Sequence, residues 1–275
     1  MKKIISQISS YQDLPINYSF YPSHSADAPT IIYFHGGGLV FGQRDDLPED
    51  YISLLIEGGY NFLSLDYLLA PESTLATIIA QLTDSLTTLL KKLQLTNYHF
   101  MGRSAGTYLA YYLIQQGFTP RSLLAFYGYY QLTTAEFSLP TPYYLRYPFI
   151  PAASLEKLIE TTPLTQGSMN KRYPLYLAGR QQGSWLKYLT SDKQDLTKFS
   201  LEEDDLQKMP PTLLIHADND PDVPYYLSKK AAQLIPKSQL ITINQDQHDF
   251  DRTVTEETRA IYQKVLAFLD EVHGA

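Results

Sequence analysis

Short, almost uninterrupted apolar runs alternate with longer amphipathic stretches along most of this chain, and that alternation limits the folds open to it. TIIYFHG (30–36), YNFLSLDY (60–67) and SLLAFYG (122–128) have the length and continuous hydrophobicity of strands buried on both faces. The stretch from Thr77 to Leu93 instead places its leucines and isoleucines at helical spacing. Strands and helices that alternate in this way predict an α/β fold, with a mostly parallel twisted sheet covered by helices on both faces.

The alternation stops between residues 129 and 208 and resumes with the strands TLLIHAD (212–218) and SQLITIN (238–244). Because the interruption lies between two core strands and has helical pieces of its own, it is typical of a lid or a binding element. We therefore predict a core of residues 1–128 and 209–275, with a lid or cap insertion at 129–208. Five tyrosines of the insertion could line a pocket or pack the insertion onto the sheet, and packing is the favoured interpretation: Tyr129, Tyr130, Tyr143, Tyr144 and Tyr147.

Charge and composition narrow the classes of function. The 275 residues carry a net charge of −7, which argues against a nucleic-acid partner, and the absence of cysteine excludes disulfides, thiolate metal sites and a cysteine nucleophile. The first residues are too polar for the core of a signal peptide, and no apolar run has the length of a membrane span. These observations predict a cytoplasmic protein that acts on a small molecule, and they leave a homodimer open.

The motif GRSAG (102–106) places a serine between two glycines where a strand gives way to a helix. Ser104 could simply cap the helix, because serine is a preferred N-cap residue. It could also be a nucleophile at a sharp strand-to-helix turn, which is the context that G-x-S-x-G requires. A serine nucleophile needs a base and a site for the developing oxyanion, so the rest of the chain must decide.

HGGGLVFG (35–42) directly follows a predicted buried strand. Three consecutive glycines lose much conformational entropy on folding, so a purely structural role would be costly. Their backbone N–H groups could approach a developing oxyanion, as they do in an HGGG-type loop. A phosphate-binding loop is the weaker alternative, because the Lys-Ser/Thr pair of a P-loop is missing.

Two further post-strand loops supply an acid and a base. HADNDPDVP (216–224) offers Asp218, Asp220 and Asp222, and the pattern fits a hard-cation loop poorly because a closing glutamate is missing. In QDQHDF (245–250), His248 alone among the six histidines follows both the serine and the aspartates in a loop after a strand. The order Ser, Asp, His is that of the α/β-hydrolase fold.

In these motifs the chain resembles the α/β-hydrolase superfamily and, within it, the hormone-sensitive-lipase-like esterases. The residues that carry the resemblance are HGGG (35–38) with Gly42, DYLLAPE (66–72), GRSAG (102–106), Asp220 followed by Val223-Pro224, and His248. The resemblance implies that Ser104, His248 and Asp220 form the triad. It further implies an oxyanion hole from Gly37, Gly38 and Ala105, with the glycine loop supported by His35, Asp66 and Tyr67.

Two departures from the family pattern stand out. Arg103 occupies a position where the family usually has an acidic residue, and Leu68 replaces an arginine. An exchange of charge partners between these two positions is one interpretation. The departures bear on substrate class more than on chemistry.

Together these observations predict a serine hydrolase that cleaves small, short-acyl carboxylic esters through an acyl-enzyme, with no metal or organic cofactor. A serine peptidase or amidase of the same fold, acting on small peptides or N-acyl compounds, is the alternative. A weaker alternative is a binding protein that has this fold but has lost catalytic activity.

Overall fold

The computed structural model describes residues 1–25 and 27–274, and its strands form one eight-stranded sheet. In chain order the strands are β1 (Ile4–Tyr11), β2 (Leu14–Tyr21), β3 (Thr30–Phe34), β4 (Asn61–Leu65), β5 (Tyr98–Arg103), β6 (Leu123–Phe126), β7 (Thr212–Ala217) and β8 (Ser238–Ile243). Their order across the sheet is β1-β2-β4-β3-β5-β6-β7-β8. The strands from β3 to β8 run parallel, while β1 and β2 pair antiparallel at one edge, so the prediction of a mostly parallel sheet is confirmed.

Helices cover both faces of this sheet. They are α1 (Glu49–Glu57), α2 (Leu75–Lys92), α3 (Ala105–Gln115), α4 (Ala152–Leu155), α5 (Met169–Gln182), α6 (Leu186–Leu189), α7 (Lys193–Lys198), α8 (Glu203–Leu206), α9 (Tyr225–Leu234) and α10 (Glu256–Gly274). Short 3-10 helices span Ala135–Ser138, Tyr144–Arg146 and Glu156–Leu158. None of the helices in the described ranges combines the length and the apolar character needed to cross a membrane.

Successive residues of a buried strand supply two different cores. On β3, Ile31 and Tyr33 pack with α1 and α10, whereas Ile32 and Phe34 pack with α2, α3 and α9. Strand side chains alternate between faces, so a strand between two helical layers must be apolar at every position. This explains why the central strands read as continuous hydrophobic runs.

Between β6 and β7 the chain forms α4 to α8 and the three 3-10 helices. Tyr129, Tyr130 and Tyr144 are buried there, and Tyr129 stacks on Tyr108 of α3 with ring centroids 5.4 Å apart. These contacts support the packing role of the tyrosines. The division into a core and a lid stays a prediction.

Candidate active site

Ser104 occupies the sharp turn between β5 and α3. Its backbone has φ +53° and ψ −119°, a strained conformation for a residue with a side chain. A Cβ on Gly106 would lie 2.0 Å from the Phe34 carbonyl oxygen, so only glycine allows α3 to approach β3 this closely. Within the described residues, the Ser104 hydroxyl is hydrogen-bonded to His248 and not to the first turn of α3. The strained turn therefore presents the hydroxyl instead of using it as a helix cap.

A continuous hydrogen-bonded chain links Ser104, His248 and Asp220. Ser104 Oγ lies 2.9 Å from His248 Nε2, and His248 Nδ1 lies 2.6 Å from Asp220 Oδ2. The Asp220 side chain is fully buried, whereas the His248 ring keeps 16% of its surface exposed. The sheet thus brings together three predicted residues from three separate loops that follow β5, β7 and β8.

Of the three candidate aspartates, Asp220 faces the histidine. Besides His248 it accepts hydrogen bonds from His216 Nε2 at 2.9 Å and from the backbone N–H groups of Asp222 and Val223 at 2.8 and 3.0 Å. Burial alone would raise the pKa of Asp220, but the His248 charge and the hydrogen bonds from His216 and His248 hold that pKa well below its usual range. Asp218 instead accepts from the side chain of Asn219.

Nearby carboxylates change the pKa of His248. Burial lowers the pKa of the imidazole, but the charge and hydrogen bond of Asp220, followed by the charges of Asp222 and Asp249, raise it to about 9. The short contact with Asp220 therefore favours the protonated imidazole. The ring also meets Tyr127 edge-on, with centroids 4.8 Å apart.

The glycine loop after β3 lies opposite the Ser104 turn. Across residues 1–25 and 27–274, the N–H groups of Gly37 and Gly38 have no intramolecular acceptor. The Ala105 N–H begins α3, where a helix leaves its first amides unpaired. Unpaired N–H donors beside a hydroxyl can bind an oxyanion.

The glycine loop is contacted by the predicted supporting residues that follow β4. Tyr67 stacks on His35 with ring centroids 4.1 Å apart and donates a hydrogen bond to the His35 carbonyl at 2.8 Å. Asp66 reaches the end of the loop through Arg44, whose Nη1 lies 2.8 Å from both carboxylate oxygens. Burial raises the pKa of Asp66, although the Arg44 contact opposes that effect.

The segment between β6 and β7 also contacts the glycine loop. Trp185 Nε1 donates to the Gly38 carbonyl at 2.9 Å, and Gly42 pairs with Gly167 as an isolated β-bridge. Gly38 has φ +59°, and a Cβ there would lie 2.3 Å from the Tyr176 ring. The loop is therefore fixed between β3 and a distant part of the chain.

Arg172 of α5 strengthens the same attachment. Its guanidinium donates to the Val40 carbonyl at 3.1 Å and to both oxygens of the Glu72 carboxylate at 2.6 and 2.7 Å. Glu72 closes the DYLLAPE motif, so this bidentate pair joins α5 to the motif and to the glycine loop. A bidentate pair of this kind fixes the orientation of both side chains as well as the distance between them.

Arg103, the residue before Ser104, lies at the centre of a buried polar cluster. Its Nη2 donates to Asp251 at 2.7 Å and its Nε to the Tyr127 hydroxyl at 2.5 Å. The Tyr127 and Tyr262 hydroxyls also donate to Asp251, at 2.6 and 2.8 Å. Because Asp251 follows His248 by three residues, the cluster ties the serine turn to the histidine loop. Arg103 pairs with Asp251, and Leu68 is a buried apolar residue. The suggested exchange of charge partners between positions 103 and 68 is therefore not needed to explain Arg103.

Ser104, His248 and the glycine loop line one cleft of about 240 Å³. The lining residues used below are Gly37, Gly38, Ser104, Tyr176, Asp222 and His248. Among the described residues that line it, the tyrosines are Tyr127 and Tyr176, and none belongs to the five tyrosines considered in the sequence. In the same described ranges, no three His, Asp or Glu side chains are grouped as metal ligands.

Several contributors to this site were not predicted from the sequence. His216 was interpreted as structural, although it lies near the end of β7, only four residues before Asp220. Trp185, Tyr127 and Asp251 carry no local signal, because each contacts the site across a long stretch of chain.

Comparisons with known proteins agree with the observed fold. A family profile described as the alpha/beta hydrolase fold matches residues 31–251. A Staphylococcus aureus subsp. aureus Mu50 protein of unknown function is 28% identical, with a TM-score of 0.91 over 98% of this chain and 99% of the other. An Enterococcus faecalis alpha/beta hydrolase superfamily protein is 27% identical, with a TM-score of 0.89 over the same shares. A Pyrobaculum calidifontis esterase, 21% identical, has a TM-score of 0.71 over 100% of this chain and 87% of that one, and supports the fold alone.

Two curated proteins match shorter stretches. Kynurenine formamidase of Danio rerio is 26% identical over 99 residues, which are 35% of this chain and 33% of that protein. A non-reducing polyketide synthase of Aspergillus novofumigatus is 38% identical over 60 residues, 20% of this chain and 3% of that protein. The chain thus spans well under two thirds of either relative.

The profile covers most of the chain. The chain belongs to the α/β-hydrolase superfamily and, as its glycine loop indicated, to the hormone-sensitive-lipase-like group within it.

Proposed function

We propose that this protein is a serine hydrolase that cleaves small carboxylic esters through an acyl-enzyme. One observation carries the proposal: the hydrogen-bonded chain from Asp220 through His248 to Ser104 opens into the cleft beside the unpaired N–H groups of the glycine loop. A hydroxyl, a base and an oxyanion site within one small cleft are the parts that acyl transfer requires.

In the first half-reaction, Ser104 Oγ attacks the ester carbonyl while His248 Nε2 takes the hydroxyl proton. Asp220 keeps the other ring nitrogen protonated and stabilises the imidazolium that forms. The N–H groups of Gly37, Gly38 and Ala105 hold the negative charge on the tetrahedral oxygen. His248 then gives its proton to the leaving alcohol as the C–O bond breaks.

In the second half-reaction, water replaces the alcohol in the cleft. His248 takes a proton from that water, which attacks the acyl carbon, and Ser104 leaves with the proton returned by His248. The volume of the cleft supports a short acyl group, because the space must hold the carbonyl and part of the leaving group together.

The proposal is tested by labelling and by turnover. A fluorophosphonate should label the wild-type protein and leave Ser104→Ala unlabelled. A series of p-nitrophenyl esters of increasing acyl length should be cleaved best at the short end. Equal labelling of Ser104→Ala would show that the nucleophile is misassigned, and silence on every ester and every anilide would favour a binding protein.

Amide hydrolysis is the second candidate function, favoured by the partial likeness to a formamidase. The triad proposed above serves esters and amides alike, so the hydrogen-bonded chain does not separate them. Anilides with the same acyl groups as the esters make the comparison direct.

The raised pKa of His248 predicts an alkaline pH profile. Only the neutral imidazole can take the Ser104 proton, so kcat/KM should rise with pH and level off above the pKa of about 9. The measurement is kcat/KM for an uncharged ester from pH 5 to 10. A half-maximal value near the ordinary histidine pKa would contradict a strong ion pair with Asp220.

Trp185→Phe should weaken the oxyanion site without touching substrate. Phenylalanine keeps the aromatic packing of Trp185 against Tyr176 and Phe137 but cannot donate to the Gly38 carbonyl. We expect kcat to fall about tenfold, less than the loss of an oxyanion donor itself, with little change in KM. A variant with normal kcat and a lowered melting temperature would show that the bond serves stability alone.

A further inference from the structure

A second carboxylate faces the other nitrogen of His248. Asp222 Oδ2 lies 3.8 Å from Nε2, the nitrogen that is hydrogen-bonded to Ser104 Oγ. Asp222 is buried and lines the cleft. Asp220 occupies the opposite, Nδ1 side of the ring, so the orienting role of an acid is already filled.

Two side chains of α5 hold the Asp222 carboxylate in place. Arg180 Nε lies 3.0 Å from Oδ1, and Arg180 Nη2 donates to the Asp222 carbonyl at 2.8 Å. The Tyr176 hydroxyl is within 2.9 Å of Oδ1 and 2.8 Å of Oδ2. One hydroxyl proton serves one oxygen at a time, so Oδ2 keeps accepting capacity on the side of His248.

The leaving groups of amides and esters differ in one respect that matters here. Both take a proton from His248 Nε2, but the nitrogen of a secondary amide also carries an N–H of its own. When the bound substrate shields that N–H from water, the lack of an acceptor costs binding free energy in the transition state. An ester oxygen makes no such demand.

The spacing suits a nitrogen in this position. An atom about 3 Å from His248 Nε2 can also lie about 3 Å from Asp222 Oδ2, because the two protein atoms are 3.8 Å apart. One donor and one acceptor would then meet the same leaving nitrogen.

We propose that Asp222 Oδ2 accepts the N–H of a scissile secondary amide, and that the site therefore hydrolyses small secondary amides as well as esters. The inference rests on the Ser104 and His248 chemistry proposed above. The C–N bond breaks as the His248 proton moves to nitrogen, the amine leaves with its N–H still bound to Asp222, and water resolves the acyl-enzyme.

A matched pair of substrates isolates this contact. p-Nitrophenyl butyrate and p-nitrobutyranilide share an acyl group and an aromatic ring, and differ in the leaving atom. In Asp222→Asn, the positive charge of Arg180, whose Nε lies 3.0 Å from Oδ1, should favour the amide oxygen on its own side and turn the NH₂ group toward the cleft. We expect kcat/KM for the anilide to fall about tenfold or more relative to the ester. Any change in the fraction of neutral His248 affects both substrates equally and cancels in the ratio.

Two controls complete the test. Asp218→Asn changes a carboxylate of the same loop that accepts from Asn219 and does not line the cleft, so the anilide-to-ester ratio should not fall. The wild-type protein should cleave the N-methyl anilide, which has no N–H, about tenfold or more slowly than the parent anilide. That second contrast requires no variant, and it should disappear in Asp222→Asn.

Several outcomes overturn the inference. An equal fall of ester and anilide turnover in Asp222→Asn would make Asp222 a positioning residue of His248, and wild-type turnover of both substrates in that variant would remove it from amide recognition. If the wild-type protein cleaves the ester but not the anilide, the inference that the site hydrolyses amides is wrong. Failure of the fluorophosphonate to label Ser104 would instead overturn the proposed function itself.

Discussion

Replacing Asp220 by asparagine is expected to lower kcat about 10⁴-fold, the largest single loss short of removing Ser104 or His248. The asparagine side chain has the same shape, but its NH₂ group cannot accept the proton on His248 Nδ1. The imidazole would then favour the wrong tautomer and lose the charge that stabilises its cation. Ester turnover under saturating substrate measures the effect.

Asp218→Asn is the matched control for this prediction. Asp218 lies two residues earlier in the same loop and accepts from Asn219, so its replacement should leave kcat close to the wild-type value. Melting temperatures of both variants separate a catalytic loss from an unfolded sample. Comparable losses in the two variants would contradict the choice of Asp220 as the acid.

Breaking the Arg103–Asp251 pair should destabilise the fold strongly. Both side chains are almost completely buried, so Arg103→Met leaves an uncompensated carboxylate among the hydroxyls of Tyr127 and Tyr262. Removal of one partner of a buried pair costs about 3–5 kcal/mol in the free energy of unfolding. Urea denaturation measures that change.

Arg252→Met provides the comparison for an exposed pair. Arg252 pairs with Asp249 next to the same histidine loop, but its side chain is 48% exposed, and such pairs contribute about 1 kcal/mol or less. The double variant Arg103→Met/Asp251→Asn should lose less stability than the two single losses added together. If Arg103→Met costs no more than Arg252→Met, the buried cluster does not stabilise the fold as argued.

The fold could be predicted from the sequence because the central strands carry a strong local signal. Ile31 to Phe34 must be apolar at every position, since the two cores take alternate residues of β3. The edge strand β1 was not predicted, because Ser6, Gln7, Ser9 and Ser10 read as a polar start. An edge strand is covered by neither helical layer along much of its length, so it has no need of that pattern.

Some residues of the candidate site could be predicted from the sequence and others could not. Ser104, Asp220 and His248 each follow a strand, and parallel strands bring their carboxyl ends to one edge of the sheet. Their meeting was therefore predictable, while their catalytic roles stay predictions until turnover is measured. Arg103 drew notice as a departure from the family pattern, yet its partner Asp251 lies 148 residues away. No local rule connects side chains at such separations, since their pairing depends on how the loops pack.

The contact between Trp185 and the Gly38 carbonyl has a spectroscopic consequence. Trp185 is the single tryptophan of the chain, and its indole N–H is bound to the loop proposed to hold the oxyanion. Indole emission responds to the polarity and hydrogen bonding around the ring. Selective excitation at the red edge of the absorption band would therefore report on the surroundings of this one side chain, which include the Gly38 carbonyl and the rings of Phe137 and Tyr176, without a label. The unmodified protein thus contains its own optical probe, bonded to the glycine loop.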